Sequence, residues 1–117
     1  MITRIACTFA VFFGITLVTV AAAQDVQKVD IAGTEYALAP KEVRVKPGKV
    51  LFTLVNKGER AHDFRISGNG VEAKTDKFEK GTSGTLEVTL PAGEYAIYCG
   101  QGQHRARGME GKLIVAP

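Results

Sequence analysis

The feature that most constrains the fold is a period-two alternation of apolar and polar residues between Val26 and Pro117. Short runs rich in β-branched residues are separated by glycine, proline and asparagine, and helix-period segments are absent or short. Alternation of this kind places every second side chain on the same face of a β-strand. The pattern predicts an all-β domain, a β-sandwich or barrel of about seven or eight mainly antiparallel strands.

The predicted strands cover residues 26–31, 36–38, 43–45, 50–56, 62–66, 85–90, 94–98 and 111–115. Pro40 is expected to interrupt a ladder, since proline has no N–H to donate. Residues 67–70 are predicted to be flexible, and 71–84 irregular with one helical turn near 75–79. Tyr95 follows a turn at the start of a strand, so it is either a corner tyrosine tied to the backbone or an ordinary core aromatic.

The N-terminus has the features of a secretory signal peptide. Arg4 precedes an apolar run from residue 5 to 20, and three alanines follow at 21–23. We predict a signal peptide at 1–23, cleaved after Ala23, and one domain at 24–117, which is long enough for a single core. The alternative is an uncleaved membrane anchor, because residues 5–23 are about long enough to span a bilayer. Either reading predicts a periplasmic or secreted domain.

Cleavage would remove Cys7 and leave Cys99 as the single cysteine of the domain. Small exported domains usually use cysteines in pairs, as disulfides. A lone thiol in an oxidising compartment is a liability unless something occupies it, and a metal ion would do so.

The formal charge of +3 gives no strong case for nucleic acid as a partner. The lysines within residues 72–80 interleave with acidic residues, which is typical of a solvated mixed face. The chain is predicted to be a monomer that binds no nucleic acid, and to meet a membrane only if the N-terminal segment is uncleaved.

The predicted domain contains two histidines, one cysteine and one methionine: His62, Cys99, His104 and Met109. A thiolate, two imidazoles and a weak thioether form a donor set that copper accepts in both oxidation states. Taken singly, each would be an ordinary buried thiol, core methionine or surface histidine. Their joint order and spacing on a sandwich scaffold favours a metal site.

The two halves of the domain carry motifs of a known family. Tyr36, Pro40, 43–45, 48–58 and His62 form the first, and residues 93–99 with His104 and Met109 form the second. Together they resemble the cupredoxin family of type 1 blue copper proteins. The ligand loop has four residues on each side of His104. It is similar to the loops of rusticyanin, auracyanin and sulfocyanin-like members, and longer than that of plastocyanins.

The resemblance implies a Greek-key sandwich in which His62 and His104 supply imidazole ligands, Cys99 the thiolate and Met109 the axial thioether. Family members often have asparagine after the first histidine, where this chain has Asp63. An acidic group there would lower the reduction potential if ionised, or act as a hydrogen-bond donor if protonated. Both readings stay open at this point.

The function implied is that of a small exported copper protein that carries one electron with a single Cu(I)/Cu(II) ion and is not an enzyme. Arg105 and Arg107 flank His104 and either dock an acidic redox partner, such as a cytochrome, oxidase or reductase, or are solvated loop residues. The alternative function is periplasmic copper binding and delivery. A small-molecule copper enzyme would need an open coordination position, and four good ligands argue against it. A purely structural sandwich is the least favoured reading.

Overall fold

The computed structural model describes residues 10–17 and 25–117. Most of the predicted signal peptide at 1–23 therefore lies outside the described residues, and 10–17 form neither helix nor strand. Within the described ranges, no helix is long and apolar enough to cross a membrane. The strands are β1 (Gln27–Thr34), β2 (Ala37–Ala39), β3 (Glu42–Val45), β4 (Gly48–Asn56), β5 (Arg65–Gly68), β6 (Val71–Lys74), β7 (Ser83–Leu90), β8 (Gly93–Tyr98) and β9 (Glu110–Val115).

The strands form two sheets, with orders β2-β1-β4-β7 and β3-β9-β8-β5-β6. This confirms the predicted all-β sandwich. Pairing is mainly antiparallel, as expected, but two of the seven strand pairs described are parallel: β1 with β4, and β3 with β9. Pro40 lies between β2 and β3, where the chain crosses from one sheet to the other. β3 therefore does not pair with β2 but lies parallel to β9, a strand far away along the chain. Parallel neighbours cannot be joined by a tight hairpin.

The prediction that residues 71–84 are irregular is wrong at both ends, because β6 covers Val71–Lys74 and β7 begins at Ser83. Residues 67–70, expected to be flexible, lie in a hairpin. β5 and β6 form a hairpin in which Gly68 pairs with Val71 across the two-residue turn Asn69-Gly70. Both turn residues have positive φ, 48° and 77°, as the favoured two-residue hairpin turn requires. The helical turn expected near 75–79 is also absent, and Phe78 instead forms an antiparallel bridge with His62.

Alternation along the strands builds the core between the two sheets. In β4, Val50, Phe52 and Leu54 are fully buried, while the residues between them are only partly covered. Phe52 packs against Phe64, which directly precedes β5 of the opposite sheet, with ring centroids 5.5 Å apart. The alternating strand predicted at 50–56 is therefore confirmed, and the structure shows which of its two faces is the more deeply buried.

Two inward-facing rows of side chains end at the same pole of the sandwich. In β8 the buried residues Tyr95 and Ile97 are followed, in the same phase, by Cys99. In β9 the buried Leu113 and Val115 are preceded in phase by Met109. Because β8 and β9 are antiparallel neighbours, the end of one meets the start of the other. The fold thus delivers both sulfur-containing side chains to one buried place.

Tyr95 is a corner tyrosine. Its side chain is 3% exposed, and its hydroxyl donates a hydrogen bond of 2.6 Å to the carbonyl oxygen of Pro91. The bond ties the turn between β7 and β8 to the start of β8. Of the two roles left open by the sequence, the structure supports the tie to the backbone.

Replacing Tyr95 by phenylalanine should lower the free energy of unfolding by about 1 kcal/mol, the net value of one such hydrogen bond. The ring keeps its apolar contacts, so only the bond to Pro91 is lost. Urea denaturation of the two proteins would measure the difference. A Tyr98→Phe variant is the matched control, since that hydroxyl makes no hydrogen bond among the described residues. Equal losses in the two variants would contradict the assigned role.

Candidate metal centre

Three of the four predicted ligands bring their donor atoms together. The Nδ1 atoms of His62 and His104 are 3.1 Å apart, and Cys99 Sγ lies 3.7 Å from the first and 3.5 Å from the second. A triangle with these sides has its centre about 2.0 Å from every corner, which is close to the length of a zinc–imidazole bond. One ion of the first transition series therefore fits at the centre of the three atoms.

His62 points into the core because it alternates in phase with the buried residues Phe64 and Ile66. Its backbone exchanges two hydrogen bonds with Phe78, of 3.1 and 2.8 Å, and its side chain is fully buried. The ring Nε2 faces Oε1 of Glu35 at 3.1 Å, which leaves Nδ1 directed at Cys99 and His104. The carboxylate of Glu35 therefore contacts the ring nitrogen that faces away from the metal centre.

Cys99 is the free cysteine of the described chain, and its side chain is fully buried. Burial raises the pKa of its thiol. The backbone N–H of Asp63 donates to Sγ over 3.4 Å, a contact that favours a sulfur carrying negative charge. Because a metal binds the thiolate and not the thiol, metal binding here would release a proton.

His104 comes from a loop of consecutive turns at residues 101–108. Its N–H donates to the carbonyl of Gln101, and its own carbonyl accepts from the N–H of Met109, both at 3.0 Å. Gly108 has φ 113°, a conformation that other residues rarely adopt. The ring is half-buried, and that burial, followed by the nearby His62 and Arg60, lowers the pKa of the imidazole.

Met109 is fully buried at the entrance to β9. Its carbonyl accepts a 3.1 Å hydrogen bond from the N–H of Cys99, so the backbones of these two residues are paired. Its methyl group rests against Gly33 of β1, where an added Cβ would lie 3.1 Å from Met109 Cε. Glycine at position 33 therefore makes room for the methionine side chain.

Asp63 is 2% exposed, and its carboxylate is enclosed by donors. Oδ1 accepts from the N–H of Gly100 at 2.6 Å, and Oδ2 accepts from the Gln101 amide at 2.8 Å and from the Arg65 guanidinium at 3.0 and 3.2 Å. Burial alone would raise the pKa of Asp63, but the Arg65, Gly100 and Gln101 hydrogen bonds outweigh it and the pKa is lowered. The ionised reading is supported, with Arg65 balancing the charge.

Gly100 explains how Arg65 reaches this carboxylate. An added Cβ at Gly100 would overlap the Arg65 guanidinium group, so only glycine leaves room for it here. The cluster of Asp63, Arg65 and Gly100 fastens the start of the ligand loop to the strand that follows His62.

The two arginines singled out in the sequence differ in their surroundings. Arg107 donates to the Tyr36 hydroxyl at 3.1 Å, and the Tyr36 ring lies 5.2 Å from that of His104. Arg105 instead pairs with Glu110 at 3.0 Å and stacks on Tyr98. A shallow concavity of about 260 Å³ at His104 is lined by Tyr36, Arg60, Gly102, Gln103, His104 and Arg107.

Three residues of the site were not identified from sequence: Glu35, Arg60 and Arg65. Glu35 and Arg60 lie in turns far apart along the chain, and no spacing rule relates either of them to His62 or His104. Arg65 did carry a signal, since it lies two residues after Asp63 on a strand and therefore on the same face. A buried acid with a cation at that spacing could have been predicted to form an ion pair.

The donor set decides which metal the residues fit. Soft thiolate and thioether sulfurs with two imidazoles select copper, and a trigonal His₂Cys group with a distant methionine is diagnostic of blue-copper sites. His62, Cys99, His104 and Met109 are arranged as a type 1 copper site. A two-sheet β-sandwich with this arrangement at one pole defines the class of cupredoxins, with copper as the cofactor.

Comparison with known proteins agrees with this class. The chain belongs to the cupredoxin-like domain family, which matches residues 6–115. No curated protein gave a significant match.

Several solved structures share the fold. The reduced auracyanin of Roseiflexus castenholzii is 25% identical, with a TM-score of 0.71 over 78% of this chain and 98% of that protein. Auracyanin A of Chloroflexus aurantiacus, a blue copper protein, is 18% identical, with a TM-score of 0.68 over 79% and 100%. A multicopper oxidase, 18% identical, matches 79% of this chain but 42% of its own length, with a TM-score of 0.64.

Proposed function

We propose that this protein is a one-electron carrier in which His62, Cys99, His104 and Met109 bind a single copper ion. The observation that carries the proposal is the convergence of two imidazole nitrogens and one thiol sulfur, separated by 3.1, 3.5 and 3.7 Å. Copper would supply the one-electron redox couple.

The surrounding protein is suited to transferring electrons without binding a substrate. His62, Cys99 and Met109 are each 0% exposed, so water is kept from this side of the site. His104 alone of the four is partly exposed, which favours its ring edge as the contact with a redox partner. Since the sulfurs are held by paired strands and the loop by turns, the ligands can keep their positions in both oxidation states.

Titration of residues 24–117 with Cu(II) tests the proposal. We expect one equivalent to produce an intense visible band that a reductant bleaches and an oxidant restores. Protein given one equivalent of Zn(II) in place of Cu(II) is the control and should show neither the band nor redox chemistry, because Zn(II) is a d¹⁰ ion with no redox chemistry. Tight copper binding without reversible redox chemistry would favour the delivery function and overturn the carrier.

We further propose that the partner surface is the concavity at His104 and that it accepts an acidic protein. Arg60 and Arg107 line it, and neither forms an ion pair within the part of the chain that the structure describes. Two uncompensated cations beside an exposed ligand edge would attract negative charge and steer encounter. Arg105, paired with Glu110, contributes less.

Charge reversal should change the rate of electron transfer with small charged reagents. Arg60→Glu with Arg107→Glu should slow oxidation by the anion hexacyanoferrate(III) by about tenfold at low salt. The effect should shrink at high ionic strength, because exposed charges are screened. Lys28→Glu with Lys46→Glu, at two exposed lysines of the opposite pole, is the matched control because it changes the net charge by the same amount. Equal slowing by the control would show that net charge, and not this surface, governs the rate.

Export is also a proposal. We propose that residues 1–23 are a signal peptide and that cleavage follows Ala23, which places the copper domain in the periplasm or outside the cell. The mass of the protein recovered from an exporting host would test this. A mature chain that begins at Gln24 is expected, whereas a full-length chain held in the membrane fraction would favour the anchor.

A further inference from the structure

Glu35 lies in the turn between β1 and β2 and contacts one of the proposed ligands, His62, without being a ligand itself. Its Oε1 accepts the backbone N–H of Arg60 at 2.7 Å and that of Glu59 at 2.8 Å, and Oε2 accepts the latter at 2.9 Å. The same Oε1 lies 3.1 Å from Nε2 of His62. The side chain is 23% exposed, although it is a carboxylate.

The surrounding backbone leaves space for this carboxylate. An added Cβ at Gly58 would overlap the carboxylate of Glu35, so only glycine lets the loop close around it. The hydrogen bonds from the Glu59 and Arg60 N–H groups lower the pKa of Glu35 to about 2. A side chain held by two backbone donors has little freedom to leave His62.

The hydrogen bonds determine which nitrogen of His62 carries the proton. Oε1 of Glu35 already accepts two N–H groups, so it is an acceptor and His62 Nε2 must be the donor. Nδ1 is then left with its lone pair. The 3.1 Å contact between the two Nδ1 atoms is consistent with this, since His104 Nδ1 can donate to His62 Nδ1.

We propose that Glu35 is a positioning residue that holds His62 as the Nε2–H tautomer, aims Nδ1 at the metal and strengthens it as a donor. A carboxylate behind a metal-bound histidine fixes the ring and raises its basicity. A more basic imidazole stabilises Cu(II) more than Cu(I), so Glu35 lowers the reduction potential. The copper part of this inference rests on the proposed function, whereas the tautomer does not.

The first test uses nitrogen-15 NMR of the metal-free protein under mildly alkaline conditions, where imidazoles are neutral. Wild type should show His62 as the Nε2–H tautomer. Glu35→Ala should lose that preference, and Glu35→Gln, whose side-chain oxygen can still accept, should keep it. A purely structural role would lower stability in Glu35→Ala without changing the tautomer.

The second test compares copper-loaded variants. Glu35→Ala should bind Cu(II) about 10 to 100 times more weakly, the usual cost of losing such a partner. Each tenfold loss of Cu(II) over Cu(I) affinity raises the potential by about 59 mV. Glu35→Gln should give a smaller rise. Glu59→Gln is the matched control, since it removes a neighbouring charge whose side chain contacts Lys80 instead of His62.

An unchanged His62 tautomer in Glu35→Ala, or equal potential shifts in Glu35→Gln and Glu59→Gln, would overturn the proposal. Wild-type protein that binds no copper would overturn the proposed function instead. The NMR comparison of metal-free proteins would still decide the role of Glu35.

Discussion

Replacement of Cys99 by serine is expected to abolish the intense visible band of the Cu(II)-loaded protein and its reversible redox chemistry. The band requires a thiolate bound to Cu(II), and a serine hydroxyl neither ionises readily nor supplies soft sulfur. Cys7 lies in the predicted signal peptide, so residues 24–117 contain no other thiol that could take the place of Cys99. Visible spectra and voltammetry of the two proteins, each with one equivalent of Cu(II), would measure the effect.

This experiment needs a check that Cys99→Ser is still folded. Serine is close in size to cysteine, and the N–H of Asp63 that faces Sγ could donate to the serine oxygen. The far-ultraviolet circular dichroism of the metal-free variant should therefore match that of wild type. Retention of the band in folded Cys99→Ser would contradict the assignment of Cys99 as the thiolate ligand.

Replacement of Arg65 by methionine should lower the free energy of unfolding of the metal-free protein by about 3 kcal/mol. Removing one partner of a buried ion pair costs about 3–5 kcal/mol, because the remaining charge is left without compensation. We expect the lower end, since the Arg65 side chain is 32% exposed while that of Asp63 is 3% exposed. Gly100 and Gln101 would still donate to the carboxylate. Urea denaturation with an unchanged m-value would report the loss.

Two further variants separate the buried pair from a general effect of losing an arginine. Arg44→Met removes an exposed arginine from a surface pair with Glu42 and should cost between about 0 and 1 kcal/mol. Adding Asp63→Asn to Arg65→Met should recover much of the stability, because a neutral amide needs no cation. Equal losses in Arg65→Met and Arg44→Met would mean that Asp63 does not depend on its partner.

Much of the fold could be predicted from the sequence because the strand period is short and local. The alternation of Val50, Phe52 and Leu54 predicted the central strand β4, and Pro40 marked the break between β2 and β3. The missed hairpin between β5 and β6 also carried a local signal, since Asn69-Gly70 is the preferred two-residue turn. Its glycine-rich surroundings were instead interpreted as flexibility.

The parallel pairs and the site's supporting residues could not be predicted in this way. Whether β3 runs with or against β9 depends on where the chain crosses between sheets, which no local pattern records. Glu35 contacts His62 although the two residues are far apart in sequence, and Arg60 lies beside His104 in the same way. Their contacts follow from the packing of loops at one pole.

The sequence by itself determined the sandwich class and the candidate ligands, because alternation, turn residues and the order of His62, Cys99, His104 and Met109 are all present along the chain. The tertiary structure decided what surrounds those ligands. Only packing could show that Glu35 faces His62 Nε2, and that Arg107 and not Arg105 borders His104. The physical reason is that donor type is a property of a residue, whereas charge balance, proton position and exposure are properties of its neighbours in space.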